Sequence, residues 1–482
     1  MTTTVGAIAS ALGATAPDEA TGIEIDDVSH DSRQTGPGWL FVAIRGANVD
    51  GHRFVANSGA SAAIVEEQVD APMPQLVVAD SRRAMAIAAR LAHGAPDDHL
   101  SVIGVTGTNG KTTVTHLCEA VWQHLGLPSG VVGTLGASVK GTAQPLARTT
   151  PESSDLQRLL GSMRDAGVRS VAMEVSSHAL DLARADGIHF TSAGFTNLSQ
   201  DHLDFHGDME TYFRSKASLF TPERTDRAVI NVDDTWGARL AADVAIPVTT
   251  VGLDAPADIQ ASDVELTASG STMRVTTPVG TESISLPLIG GFNIRNALVA
   301  CGLLLDDGLS LSDIVAGIAT TSTVRGRMEL VPHNGGFAVV VDYAHTPDAV
   351  TAALAAARDV ASGQVIGLVG AGGDRDPDKR SLMGAALARG SDIAIVTTDN
   401  PRSESPGVIA SEVRRGADAN PRGTVLTVLD RRSAIAAAIE RAEPGDVVMI
   451  LGRGHESHQE VAGEFLPFDD AAVAAEILGA DR

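Results

Sequence analysis

At 482 residues the chain is longer than one hydrophobic core usually organises, and its length argues for roughly three domains of about 100 to 200 residues each. Sixty acidic side chains against 36 basic ones leave a formal charge of −24, which repels nucleic acid and anionic lipid, and no basic patch stands out against it. Apolar residues make up 44% but aromatics only 3%, so the core must be built from Ala, Val, Leu and Ile. That composition suits parallel α/β sheets buried on both faces better than a β-sandwich.

The start, Met1-Thr2-Thr3-Thr4-Val5, lacks the basic and apolar regions of a signal peptide. No apolar run approaches the ~18 to 20 residues that span a bilayer, so a cytoplasmic protein is expected, without a membrane partner and as a monomer. Short apolar runs at Leu40 to Ile44, Ala62 to Val65 and Leu76 to Ala79 fill a first segment that ends in the turn-rich Gly94-Ala95-Pro96-Asp97-Asp98. Within it, Ser29-His30-Asp31-Ser32-Arg33 gathers hydroxyl, carboxylate and guanidinium groups that suit a uridine diphosphate, although the same residues alone make an ordinary turn.

From Ser101 a strand-like run enters Gly104-Val105-Thr106-Gly107-Thr108-Asn109-Gly110-Lys111-Thr112-Thr113 and then a helix with Val114, Leu117, Cys118, Val121 and Leu125 on one face. Backbone N–H groups of such a glycine loop at a helix N-terminus cradle phosphates, with Lys111 on the β and γ oxygens and the Thr112 hydroxyl on Mg²⁺. The spacing departs from Gly-x4-Gly-Lys-Thr, so this is a variant loop. Cys118 and Cys301, in apolar helix-like runs without Cys or His partners nearby, read as buried small hydrophobes.

Further strands are expected at Ser170–Val175, Ala193–Thr196, Ala228–Val232 and Val248–Gly252. An antiparallel excursion from Val264 to Leu288 and a helix from Gly290 to Leu305 follow. Glu174, at the end of an apolar run, is either a Mg²⁺ ligand or a solvated edge residue. Asp201-His202-Leu203-Asp204-Phe205-His206 crowds four metal-capable side chains into six residues. His-x-Asp-x-His suggests zinc by ligand type, but the upstream phosphate loop makes Mg²⁺ the better ion, with His202 a nitrogen donor among oxygens. Lys216 reads, on its own, as a surface helix lysine. Asn293, in Gly290-Gly291-Phe292-Asn293, either caps a helix or reaches a ligand.

A third segment, starting near residue 328, repeats the α/β theme with strands at Ala338–Val341, Val365–Val369, Ile393–Thr397, Val425–Leu429 and Val447–Leu451, and Ala-rich helices such as Ala349–Arg358. Gly367 to Gly373 lacks the Gly-x-Gly-x-x-Gly spacing, which argues against NAD. No internal repeat is evident. Three α/β domains are therefore expected: residues 1–99, 100–327 and 328–482, the central one P-loop-like and the last Rossmann-like.

Thr106-Gly107-Thr108-Asn109-Gly110-Lys111-Thr112-Thr113 resembles the ATP loop shared by Mur ligases and folylpolyglutamate synthases. Glu174-x-Ser-Ser-His and Thr196-Asn-Leu-x-x-Asp-His-Leu-Asp-x-His-Gly resemble the Mur ligases, in this wording the MurE type. The resemblance implies a cytoplasmic enzyme that uses ATP and Mg²⁺ to add meso-diaminopimelate to UDP-N-acetylmuramoyl-L-alanyl-D-glutamate. It implies Mg²⁺ on Thr112, Glu174 and His202, and on Lys216 converted by CO₂ into a carbamate, an anionic oxygen donor. By the same resemblance ATP meets Gly107 to Thr113, Asn293, Arg327 and Asp342. The UDP substrate meets Ser32, Thr149, Thr150, Ser176 and Arg184, with Ala47-Asn48-Val49 a weaker match and Leu182 standing where some members carry Gln.

Diaminopimelate falls to Arg380, Asp399-Asn400-Pro401-Arg402, Gly452 and Glu456. Its distal carboxylate, which lysine lacks, suits a bidentate arginine. A folylpolyglutamate synthase would not need the Asp-Ser-Arg segment, and a nucleotide switch would need only the loop.

Overall fold

The computed structural model describes residues 3–46, 49–267 and 270–479, so Ala47 and Asn48 of the weaker UDP match, and Met1 and Thr2, lie outside the described residues. Three larger sheets carry the fold, one in each expected segment. In the first, Asp27–Ser29, Trp39–Val42, Ala62–Val65 and Gln75–Val77 run parallel in that order. The helix Ser81–Ala92 starts where the Asp80 carboxylate accepts from the N–H groups of Arg82 and Arg83. It lays Ala84, Met85, Ala88 and Ala89 on Val28, Leu40 and Ile64.

The central sheet has eleven strands. Its parallel middle runs Ser129–Gly133, Ser170–Glu174, Ser101–Thr106, Ser192–Phe195, Ala228–Asn231, Val248–Gly252, Ile259–Thr267. Alternation explains its double burial: Ile103 and Val105 face the helices Lys111–His124 and Gly291–Asp306, while Val102, Val171 and Met173 face the opposite layer. The antiparallel excursion begins earlier than its hydrophobic pattern suggested. Ile259–Thr267 first pairs parallel to Val248–Gly252 and only then turns back through Gly270–Thr277 and Gly280–Leu286.

The third sheet orders Glu329–Leu330, Ala338–Asp342, Val447–Leu451, Val365–Val369, Ile393–Val396, Thr424–Thr427, all parallel after the first pair. Helices cover both faces, Pro347–Val360 and Asp378–Gly390 on one, Arg431–Ile439 and Asp470–Ile477 on the other. This is the doubly wound arrangement, in which ligands meet the carboxyl ends of the strands. Two antiparallel elements left no readable signal: Gly136–Val139 with Thr142–Gln144, and the hairpin His458–Val461 with Glu464–Pro467. Both cysteines are buried and free. Among the described residues, no helix is long and apolar enough to cross a membrane.

Candidate active site

The strand Ser101–Thr106 sits between Ser170–Glu174 and Ser192–Phe195, so the phosphate loop, Glu174 and Thr196-Asn197 emerge side by side. Gly107 and Gly110 have φ of +144° and +90°, and a Cβ would lie 1.9 Å from Thr196 Oγ1 at the first and 2.2 Å from Asn296 Oδ1 at the second. Only glycine fits either place. Asn197 clamps the loop from beside, its Oδ1 accepting from Asn109 N (3.0 Å) and its Nδ2 donating to Asn109 O (3.1 Å). Lys111 folds along the loop and donates to Gly107 O (2.8 Å) and Thr108 O (3.0 Å), and burial lowers its pKa. Gly110 precedes the helix Lys111–His124 with no side-chain cap, which leaves the first-turn N–H groups to a ligand.

Glu174 is no solvated edge residue. It is buried, and its oxygens accept from Thr112 Oγ1 (2.9 Å), Thr134 N (2.8 Å) and Thr134 Oγ1 (3.0 Å). Arg327 reaches across from the joint with the third domain, Nη2 to Thr112 Oγ1 at 3.1 Å, with its guanidinium 4.7 Å from the Tyr343 ring centre. Lys216 overturns the surface-lysine reading of its helix Met209–Ala217. It is 1% exposed, donates to Gly107 O (2.9 Å) and lies over the Tyr212 ring. Burial, reinforced by Lys111, holds its pKa well below the usual ammonium range, which favours the neutral amine.

His202 has φ +54° and packs edge-on against His178, 4.8 Å between ring centres, and burial pushes its pKa down to about 4. His206 lies 2.9 Å from Ser177 Oγ, with its ring centre 5.6 Å from that of His178. Among the described residues, no group of three or more His, Cys, Asp and Glu is arranged to hold a metal ion, which lends the zinc alternative no support. The donors in contact are the Thr112 hydroxyl and the Glu174 carboxylate at a helix N-terminus, an oxygen pair of the kind Mg²⁺ takes beside phosphates.

A cavity of ≈ 550 Å³ opens between the carboxyl ends of the central and third sheets. On the central wall stand Thr149, Thr150, Ser176, Arg184 and His202; on the other stand Asp399, Asn400, Arg402, Gly452 and Glu456. Asn400 Nδ2 donates to Glu456 Oε2 (2.6 Å), and burial, with Asp399 nearby, raises the Glu456 pKa. The reading from sequence missed Arg148, His345, Arg375 and Lys379, which also line this space, and took Asp201 only as a metal-capable side chain. Lys379 carried no signal in the sequence.

Arg380 and Pro401 are not on the cavity wall. Arg380 is buried and neutralised by Glu404 (2.7 Å) and Glu412 (2.8 Å). Asn293 uses its amide locally, Nδ2 to Ile289 O (2.9 Å), with Oδ1 accepting from Asn296. Asp342 accepts from Met328 N and Ala344 N (both 2.8 Å) and so braces the joint between the domains. Ser32 is half-buried in the turn after Asp27–Ser29, away from the cavity wall, and its neighbours Asp31 and Arg33 neutralise each other at 2.7 Å.

Three family descriptions match consecutive parts of the chain: "Mur ligase family, catalytic domain" at 24–99, "Mur ligase middle domain" at 105–304 and "Mur ligase, glutamate ligase domain" at 326–454. The chain is 44% identical to a UDP-N-acetylmuramoyl-L-alanyl-D-glutamate--2,6-diaminopimelate ligase of Geobacillus thermodenitrificans over 454 residues, 92% of this chain and 93% of that one. It is 43% identical to the ligase of the same name from Streptomyces coelicolor, over 99% of this chain and 96% of that one. A solved structure of a ligase of that name superposes with a TM-score of 0.72 at 30% identity, covering 99% of both chains. With all three segments matched in order and such relatives matched end to end, the chain belongs to the Mur ligase family.

Proposed function

We propose that this Mur-family ligase joins meso-diaminopimelate to the D-glutamyl carboxylate of UDP-N-acetylmuramoyl-L-alanyl-D-glutamate, splitting ATP to ADP and phosphate, in peptidoglycan precursor synthesis. The observation that carries the reading is the shared cavity. Thr150, Ser176 and Arg184 face it from the phosphate-loop side, and Asp399, Asn400, Arg402 and Glu456 supply both charge signs from the other. An amino acid with two ammonium and two carboxylate groups needs both signs, and lysine would leave Arg402 without an anion.

In this reading the first-turn N–H groups after Gly110 and the Lys111 ammonium hold the β and γ phosphates. The glutamyl carboxylate attacks the γ-phosphorus, ADP leaves, and the incoming amine attacks the resulting acyl phosphate to expel phosphate. Thr112 and Glu174 would hold Mg²⁺, with His202 and a Lys216 carbamate as the further donors that the family resemblance assigns. The ion would neutralise phosphate charge. The buried, neutral-leaning Lys216 amine suits carbamate formation, in which its nitrogen bonds the CO₂ carbon and releases a proton.

Asn293, Arg327 and Asp342 are proposed for ATP, and Ser32 for the UDP end. Arg380 is proposed as a brace behind the diaminopimelate loop, through its bond to Gly372 O. We place the domain limits at 1–99, 100–327 and 328–482, and propose a cytoplasmic monomer.

Phosphate release by the purified chain with ATP, Mg²⁺ and the UDP dipeptide is the test, with meso-diaminopimelate set against L-lysine. Release that depends on diaminopimelate supports enzyme and specificity together. Preference for lysine overturns the assignment of Arg402, and release indifferent to both substrates overturns the ligase reading.

A further inference from the structure

We propose that Glu460, on the hairpin His458–Val461 and Glu464–Pro467, is a positioning residue that sets the guanidinium of Arg402 for the incoming amino acid. The proposal rests on the reading of Arg402 as the group that meets the distal carboxylate. Arg402 closes the loop Asp399-Asn400-Pro401-Arg402 in a left-handed backbone conformation, φ +51°. A non-glycine residue there is strained and keeps that shape only when its surroundings impose it. The hairpin imposes it. Arg402 N donates to Glu460 O (3.1 Å), Ala462 N donates to Arg402 O (2.8 Å), and Glu460 N donates to Asn400 Oδ1 (2.9 Å).

The side chain is fixed by the same residue. Arg402 Nε donates to Glu460 Oε2 at 3.1 Å, and Nη1 donates to Gly373 O at 2.6 Å. With those two nitrogens engaged, Nη2 makes no hydrogen bond to any of the described residues, and Arg402 lines the cavity. Glu460 therefore chooses the rotamer of a long, otherwise mobile side chain and leaves one guanidinium nitrogen for a ligand. It is not itself on the cavity wall, so its carboxylate acts through Arg402. Its tip is partly open to water, so truncating it removes the tether without emptying a core.

The test titrates meso-diaminopimelate into the full chain with saturating ATP, Mg²⁺ and UDP dipeptide, comparing the parent with Glu460→Ala, Glu460→Gln and Arg402→Lys. Loss of one charge-assisted hydrogen bond is expected to raise the KM for diaminopimelate about tenfold in Glu460→Ala. The kcat and the KM for ATP should stay within about twofold. Glu460→Gln, whose amide oxygen still accepts from Nε, recovers most of the loss. A parental KM in Glu460→Ala overturns the proposal. So does a loss shared equally by all three substrates, which marks a merely structural role. Arg402→Lys separates the layers: if it raises the KM while Glu460→Ala does not, only the positioning role fails. If Arg402→Lys leaves the KM unchanged, the reading of Arg402 fails and this proposal falls with it.

Discussion

Replacing Arg431 by Met is expected to destabilise the third domain by about 4 kcal/mol and to loosen both of its amino-acid loops. Arg431 is fully buried and makes two bonds to Asp470 (2.7 and 2.6 Å), one to Thr398 O (3.1 Å) and one to Leu451 O (3.0 Å). Thr398 directly precedes Asp399 and Leu451 directly precedes Gly452, so one guanidinium ties the roots of both loops. Met fills most of the volume but leaves the Asp470 charge buried without its cation, which costs about 3–5 kcal/mol, and orphans two carbonyls. The double variant Arg431→Met with Asp470→Ala removes the stranded charge, so it should lose only about 2 kcal/mol relative to the parent. Tryptophan fluorescence is blind here, because Trp39, Trp122 and Trp236 all lie outside residues 328–482. Amide hydrogen exchange of the strands Ile393–Val396 and Val447–Leu451 reads the change directly. A single variant within about 1 kcal/mol of the parent, or a double variant worse than the single, refutes the account.

Asp27 bridges the first and central domains, accepting from Arg158 at 2.7 and 3.0 Å and lying 3.1 Å from His93. Burial tends to raise its pKa, but the His93 and Arg158 hydrogen bonds outweigh it and bring the pKa to about 2. A lowered carboxylate stabilises above its ordinary pKa of 3.8 and loses that contribution as pH falls toward 2. Discounted for partial exposure, this is about 1 kcal/mol, and Asp27→Asn should flatten the acid-unfolding slope between pH 4 and 2. An unchanged slope sinks it. Lys216→Ala should collapse turnover and recover partly with acetate or formate; near-parental activity without rescue removes the carbamate role. Gly110→Ala, with its Cβ driven against Asn296, should weaken ATP binding in calorimetry at least about tenfold while UDP-dipeptide binding stays at the parental value.

Local chemistry made the phosphate loop legible, because its glycines and Lys111 act through backbone positions fixed by the strand and helix on either side. What depended on rotation or packing was not legible. Lys379 and Arg380 are neighbours on the helix Asp378–Gly390, about 100° apart around its axis. The helix turns Lys379 to the cavity and Arg380 back to Glu404 and Glu412, whereas the family resemblance singled out Arg380 and left Lys379 unmarked. Lys216 looked like a surface lysine because nothing in its own helix says that the helix packs on the phosphate loop. Asp31 and Arg33, two residues apart, neutralise each other, so their charges are less available to a diphosphate than the motif implied. The hairpin at 458–467 was missed because its strand Glu464–Pro467 is exposed along its whole length and offers no alternating pattern.

The central and third sheets present the carboxyl ends of their strands to the same cavity, and this geometry decides what kind of catalyst the site can be. An acyl phosphate is open to attack by water as well as by an amine, so the outcome depends on which nucleophile is held beside it. In the proposed reaction the phosphate loop, beside the central wall, would hold the leaving phosphate, and the opposite wall, with Asp399, Arg402 and Glu456, would orient the amino acid. Arg327, donating to Thr112 across the joint, links the phosphate-loop helix to the segment that leads into the third sheet. Because the two walls belong to different domains, the proposed reaction would bring the amine into line when the third domain stands over the loop, and the same placement would displace water. Rate acceleration in such a site comes from placement more than from a dedicated acid or base. Groups in and beside the cavity are correspondingly braced from behind: Glu174 by Thr134, Arg402 by Glu460, and the roots of the loops after Thr398 and Leu451 by Arg431.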